Sequence, residues 1–313
     1  MPNSLQTISF PALTNVGADL TVSSWTNLAT VSLPVLAKTS SIKINGLSLL
    51  SSITAPKLQS ASGDVDFSFN QALTTLDVSS LVTIGGMFTF GGASALDNLN
   101  AFKSLTSVGG DLTLSEMPAL TDISGMDHLQ KVGGRFILQN LPVLADDDFS
   151  GFSALKTIGG DVQISGVPFK NFNGFATTKL QSVNIDGSGL TTIRQIDLSG
   201  IEITAFVKIN GLTGGVPVKG KDVLNCDLDI ENSDISLSGF RQVNNFTFNY
   251  HDFTPAPSTP SSTLPMQKIN GIVSIESEGY HTLSFPNLAS VSGDFTINTG
   301  HDAFSLSELQ APL

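Results

Sequence analysis

A unit of about 23 residues recurs along the whole chain, most plainly as Val108-Gly109-Gly110-Asp111-Leu112-Thr113-Leu114, Val132-Gly133-Gly134-Arg135-Phe136-Ile137-Leu138 and Ile158-Gly159-Gly160-Asp161-Val162-Gln163-Ile164. Each unit is a glycine turn followed by a short apolar-polar-apolar strand, too small to bury its own hydrophobic side. Such units hold together only by stacking, so the repeat predicts a solenoid with one continuous core. A chain of 313 residues would otherwise suit two ordinary domains. The unbroken repeat instead predicts a single solenoid domain over 1–313.

Aligning the units on the polar residue at the centre of each strand gives Thr21, Lys43, Asp66, Thr89, Thr113, Ile137, Gln163, Asn184, Lys208, Asp229, Thr247, Ser274 and Thr296, hence about 13 coils. The residues flanking each centre, such as Ile42/Ile44 or Phe88/Phe90, are apolar. A period of two puts both flanks inward and the centre outward. A second inward wall is written in Leu28-x-x-Val31-x-Leu33-x-x-Leu36, Leu73-x-x-Leu76-x-Val78-x-x-Leu81 and Leu120-x-x-Ile123-x-x-Met126-x-x-Leu129. Short spacers, with glycines before the strands and prolines in the connections (Pro11, Pro34, Pro56, Pro118), leave no room for regular helices. The expected fold is mostly β, a right-handed parallel β-helix-like solenoid.

Charged residues make up 13% of the chain, about half the usual share. The net charge of -12, with no Lys/Arg cluster, opposes contact with phosphate backbones or anionic lipid, and nucleic acid is excluded as an expected partner. No apolar run approaches the roughly 18 residues that would span a bilayer, so no direct membrane insertion is expected. The single Cys226 allows no intrachain disulfide, and the fold must rest on packing and hydrogen bonds.

Leu105-Thr106-Ser107-Val108-Gly109-Gly110-Asp111-Leu112-Thr113-Leu114 resembles the repeat of the receptor L-domain superfamily, the leucine-rich-repeat-like β-helix of insulin-receptor and EGF-receptor ectodomains. Phe285-Pro286-Asn287-Leu288-Ala289-Ser290-Val291-Ser292-Gly293-Asp294-Phe295-Thr296-Ile297 is similar in texture to the fungal GPI-anchored cell-wall-organisation proteins of the sporulation-specific type. The resemblance implies a secreted or cell-surface, non-catalytic role in recognition or as a wall-associated scaffold, with a protein or cell-wall glycan as partner. It also implies an extracellular location, with signal and anchor segments expected outside this sequence.

The coils are interrupted by a Pro/Ser/Thr-rich stretch, read as a projecting loop inserted at 251–268, because four prolines between Thr254 and Pro265 cannot join a sheet interior. Tyr250, His251 and Phe253 at its base are the candidate partner-binding aromatics, or else cover the edge of the core. Asn245-Phe246-Thr247 is the one glycosylation sequon, with Asn245 the acceptor.

Other features favour structural readings. Asp19, Asp64, Asp111, Asp161, Asp227 and Asp294 precede the strands and suit a charge-balanced turn ladder better than a calcium row. The acidic run Asp146-Asp147-Asp148 is expected to be solvated. Trp25 shares a column with Leu47, Met117, Leu141, Val167 and Leu212 and is expected in the core.

No catalytic, cofactor or metal site is expected. Gly215–Asp222 has phosphate-loop spacing, but Asp222 stands where a hydroxyl is needed; the four histidines lie in separate coils. The best local set for an enzyme is Lys208 with Asp186 and Asp229 on neighbouring coils. It supports the alternative of a glycan-binding module or polysaccharide-acting β-helix enzyme. A second alternative is a structural protein associating end to end through the apolar C-terminal coil (Phe304, Leu306, Leu309).

Overall fold

The computed structural model describes residues 4–144, 149–169, 174–176, 179–188, 193, 195–251, 261–278 and 282–298. The fold is mostly β, a solenoid of stacked parallel coils. Helix among the described residues is confined to three 3-10 turns, Asn100–Phe102, Ser124–Met126 and Ser150–Phe152. The chain groups into two compact units, Met1–Pro168 with Gly174–Thr177, and Phe169–Asn173 with Thr178–Leu313.

In the first unit, the strands Leu20–Val22, Ile42–Ile44, Val65–Asp66, Phe88–Gly91, Leu112–Ser115, Phe136–Gln139 and Val162–Ser165 pair in that order, all parallel. Thr21, Lys43, Asp66, Thr89, Thr113, Ile137 and Gln163 stand directly opposite one another. In the second unit, Lys179–Asp186, Glu202–Asn210, Asp227–Glu231, Phe246–His251, Val273–Glu278 and Phe295–Asn298 do the same through Asn184, Lys208, Asp229, Thr247, Ser274 and Thr296. The solenoid has about eleven turns, fewer than the 13 coils expected from counting central residues. The outward-centre pattern thus fixes the register of every described coil.

From Gly85 onward, what lets the coils approach so closely is a glycine column, in which Ser40 and Ser62 stand in the second and third coils. A Cβ on Gly109, Gly133 or Gly159 would collide with the carbonyl oxygen of the equivalent residue one coil back, Gly85, Gly109 or Gly133. These glycines do not have left-handed φ, so space rather than backbone conformation demands them. Gly17 occupies the same column in the first coil, where no coil lies behind it, and nothing lies within 4 Å of its Cβ position.

The second wall changes character part-way through the first unit. Where the apolar spacing is Leu28-x-x-Val31-x-Leu33-x-x-Leu36, the wall is a strand: Thr7–Ser9, Thr30–Ser32, Ser52–Thr54 and Thr75–Asp77 form a four-stranded parallel sheet. One added residue gives Leu96-x-x-Leu99-x-x-Phe102-x-x-Leu105, a period of three that matches a 3-10 helix. From that coil onward the wall is the stack of 3-10 turns.

Two expectations need correction. Trp25 is 39% exposed although Leu47, Met117, Leu141, Val167 and Leu212 of its column are at most 1% exposed. The first coil has neighbours on one side only, so its apolar column is open there. The supposed insertion at 251–268 is also shorter than its composition suggests. Residues 252–260, including Phe253, lie outside the described residues. Ser261–Thr263, however, is a wall strand paired in parallel with Thr282–Ser284, and Leu264, Met266 and Ile269 are fully buried. The chain resumes coil geometry as soon as inward apolar residues return.

Candidate functional site

Tyr250 alternates with Phe246 and Phe248 on the inward side of its strand and is 8% exposed, which moves it from a recognition surface to the core edge. His251, next along, is exposed, and its backbone N–H donates to Asn232 Oδ1 at 3.0 Å. The aromatic trio read from sequence is therefore split: one ring inward, one outward, and Phe253 outside the described residues.

Asn245 belongs to the turn ladder. Its Nδ2 donates to Asp227 Oδ1 (2.9 Å), and its Oδ1 accepts the backbone N–H of Ile272 in the next coil (2.9 Å). The same job is done by Asp64, whose Oδ1 accepts from Met87 N (3.0 Å), and by Asp111, which accepts from Arg135 N (2.8 Å). Arg135 also forks onto Asp111 Oδ2 through Nε (2.9 Å) and Nη2 (2.8 Å). Burial acts to raise the Asp111 carboxyl, but the backbone and side-chain hydrogen bonds from Arg135 and its charge outweigh it and hold the group below its ordinary range. Asp64, Asp111 and Asp227 thus each give Oδ1 to a backbone donor one coil away. No cluster of three or more His, Cys, Asp or Glu suited to a metal occurs among the described residues. Asp146-Asp147-Asp148 lies outside them.

The outward face of the second unit carries the densest charged constellation. Lys208 Nζ lies 2.7 Å from Glu231 Oε1 and 3.6 Å from Asp229 Oδ2. Asp186, the partner expected from sequence, instead accepts from Ser188 N (3.0 Å) and Asn210 Nδ2 (3.3 Å). Glu231 was missed because it sits two residues beyond the central row; its period-two relation to Asp229 was the available signal. Burial, followed by the Glu231 charge, pushes the Asp229 carboxyl up against the opposing pull of Lys208. The Glu231 hydrogen bond leads in raising Lys208, with the Asp229 charge adding to it and burial opposing. Asp229 Oδ1 is buried without a hydrogen-bond partner among the described residues.

A different kind of site runs along the first unit. A groove of about 870 Å³ crosses the two-residue strands from Asn15–Val16 to Ser107–Val108. Hydroxyls of Ser40, Ser60, Ser62, Thr83 and Ser107 line it, with Lys38 at its side, while the buried Thr39 hydroxyl donates to Ser41 C=O at 2.9 Å. No family model, curated protein or solved structure matches the chain. No helix among the described residues is long and apolar enough to cross a membrane.

Proposed function

We propose that the protein is a non-catalytic recognition or scaffold module of the receptor L-domain kind, acting outside the cell or at its surface, possessing an extended binding face for a wall glycan or a protein. The observation that carries this reading is the groove, in which one column presents a hydrogen-bonding side chain from each of five coils, Asn15, Lys38, Ser60, Thr83 and Ser107. A ligand that is itself a linear polymer can satisfy such a ladder unit by unit. A low density of charge on the surface leaves hydroxyls and amides as the main recognition groups. The test is a glycan array and polysaccharide co-sedimentation with the full chain and with the groove-filling variants Ser60→Trp and Ser107→Trp. Binding that both variants abolish supports the reading; binding unaffected by either, or no binding to any glycan or candidate wall protein, overturns it.

A second reading rests on Lys208, Asp229 and Glu231. Burial raises the Asp229 carboxyl, which lies with Glu231 around Lys208, and such a site on a β-solenoid would act on a polysaccharide. Release of products from a wall polymer, lost in Asp229→Asn, would favour this enzyme over the module.

A further inference from the structure

Each central strand of the first unit is followed by a residue with left-handed backbone, and the strand register lines these residues up as a ridge. Six of them, Ser24, Gly46, Gly92, Glu116, Asn140 and Gly166, are glycine or polar, with φ between 51° and 68°. The remaining one is Phe69 (φ 58°), a bulky side chain in a region that bulky L-residues rarely adopt. Its ring is 61% exposed, the highest exposure of any large apolar side chain among the described residues. A period of two would bury it with Val65 and Phe67, which are fully buried; the left-handed turn throws it out to solvent instead.

The turn that presents the ring is firmly held. Asn70, next in sequence and fully buried, donates to Ile44 C=O and Phe67 C=O and accepts from Leu47 N–H, which fixes the backbone on one side of Phe69. Phe69 N–H itself donates to Gly91 C=O at 2.8 Å. Gly92 leaves the ring its place, since a Cβ there would come within 3.2 Å of Phe69 Cδ1 and 2.9 Å of its Cα. Neither the strain nor the apolar exposure serves the packing of the coil, because glycine makes the same turn at Gly46 and Gly92. A strained, exposed aromatic that the surrounding structure pins in place belongs to contact with something outside the chain.

We infer that Phe69 is the stacking platform of a carbohydrate site on this ridge, which takes a linear glycan of neutral pyranose rings. The backbone of the ridge is already engaged from coil to coil, Gly46 N–H with Ser68 C=O, Gly92 N–H with Ser115 C=O and Glu116 N–H with Gln139 C=O, so it has no edge for a peptide strand. What the ridge offers is one apolar ring and, two and three coils on, about 10 and 14 Å away, the exposed side chains of Glu116 and Asn140. Asn140 Nδ2 donates to Glu116 Oε1 at 2.6 Å, which orients the pair and leaves Glu116 Oε2 and Asn140 Oδ1 to accept from a ligand. A pyranose has the matching chemistry: an apolar C–H face that lies on an aromatic ring, and hydroxyls around its rim that donate. No Lys or Arg stands on the ridge to hold an acidic sugar. The groove strands precede the central strands and the ridge follows them, so the two sites border opposite edges of that sheet's coils. The inference rests on the reading that the protein binds a glycan, but not on the groove.

The test titrates soluble linear hexasaccharides of glucose, mannose and N-acetylglucosamine into the full chain by calorimetry, and repeats each titration with Phe69→Asn and Phe69→Trp. At least one hexasaccharide should bind, Phe69→Asn should weaken it at least about tenfold, and Phe69→Trp, a wider platform, should hold it as tightly or more tightly. Because asparagine tolerates the left-handed turn, Phe69→Asn should unfold in urea at an equal or higher midpoint, which separates a lost contact from a lost fold. No binding of any hexasaccharide, equal binding by Phe69→Asn, or a lower midpoint for that variant would overturn the inference. Binding lost in Ser60→Trp and Ser107→Trp but kept in Phe69→Asn would overturn it and leave the groove reading standing; the converse pattern would support it and remove the groove. A protein ligand that Phe69→Asn abolishes and no hexasaccharide displaces would also overturn it.

Discussion

Replacing Gly133 by alanine isolates the stacking on which the fold depends. The new methyl group would meet the Gly109 carbonyl oxygen, and both glycines are held in place by inter-coil bonds: Gly133 N–H to Val108 C=O at 2.9 Å and Gly109 N–H to Ile84 C=O at 2.8 Å. Backbone rather than a flexible side chain must therefore retreat, by about 1 Å before an ordinary contact is restored. Overpacking of this kind costs about 1–3 kcal/mol, and stretching two buried hydrogen bonds adds about 1 kcal/mol. The expected loss is about 3 kcal/mol. Gly17→Ala is the matched control, in the same column with nothing within 4 Å, and should change stability by less than about 0.5 kcal/mol or increase it slightly by restricting the unfolded chain. Urea unfolding followed by circular dichroism reads both. Equal midpoints for Gly133→Ala and Gly17→Ala would refute the close-stacking argument.

Asn70 is fully buried, donates to Ile44 C=O (2.7 Å) and Phe67 C=O (3.0 Å), and accepts from Leu47 N (3.1 Å). Asn70→Ala strands all three and should cost about 2–4 kcal/mol in a urea titration; a loss below about 1 kcal/mol would contradict that bookkeeping. Burial, helped by the Asp227 charge, pushes the Cys226 thiol up to about 12, so thiol reagents at mildly alkaline pH should label it only after unfolding. Prompt labelling of the native protein would place it elsewhere. The two shifted aspartates should pull stability in opposite directions with pH. Asp111, lowered from 3.8, contributes stability above that value that is lost as pH falls through its folded pKa. Asp229, raised from 3.8, destabilises above its folded pKa and is relieved as pH falls through it. Asp111→Asn should therefore lower the urea midpoint at neutral pH, with the difference shrinking in acid, while Asp229→Asn leaves it equal or higher; the reverse order would refute these assignments.

Alternation made the central strands legible: every expected central residue in the described coils, from Thr21 to Thr296, lies on a strand in the expected register. That pattern is strong because one slipped residue would turn a whole apolar pair outward. The Lys208 partnership was half legible. Asp229 follows from cross-strand register, but the choice of Glu231 over Asp186 depends on where the lysine chain reaches. Tyr250 lies one step inward of the exposed His251, and composition near the prolines drew attention to the ring rather than to its parity. The change of the second wall from strand to 3-10 turn after Thr75–Asp77 was hidden because Leu73-x-x-Leu76-x-Val78 and Leu96-x-x-Leu99-x-x-Phe102 differ by a single residue.

The central claim is that successive coils stack in register about a shared interior. Spin labels on Thr21→Cys and Gln163→Cys, in a Cys226→Ser background, span six strand steps of the first unit. At about 4.8 Å per step their electron–electron distance should be narrow and centred near about 29 Å, plus or minus the label arms. A broad distribution, or a centre beyond about 45 Å, would contradict the stack.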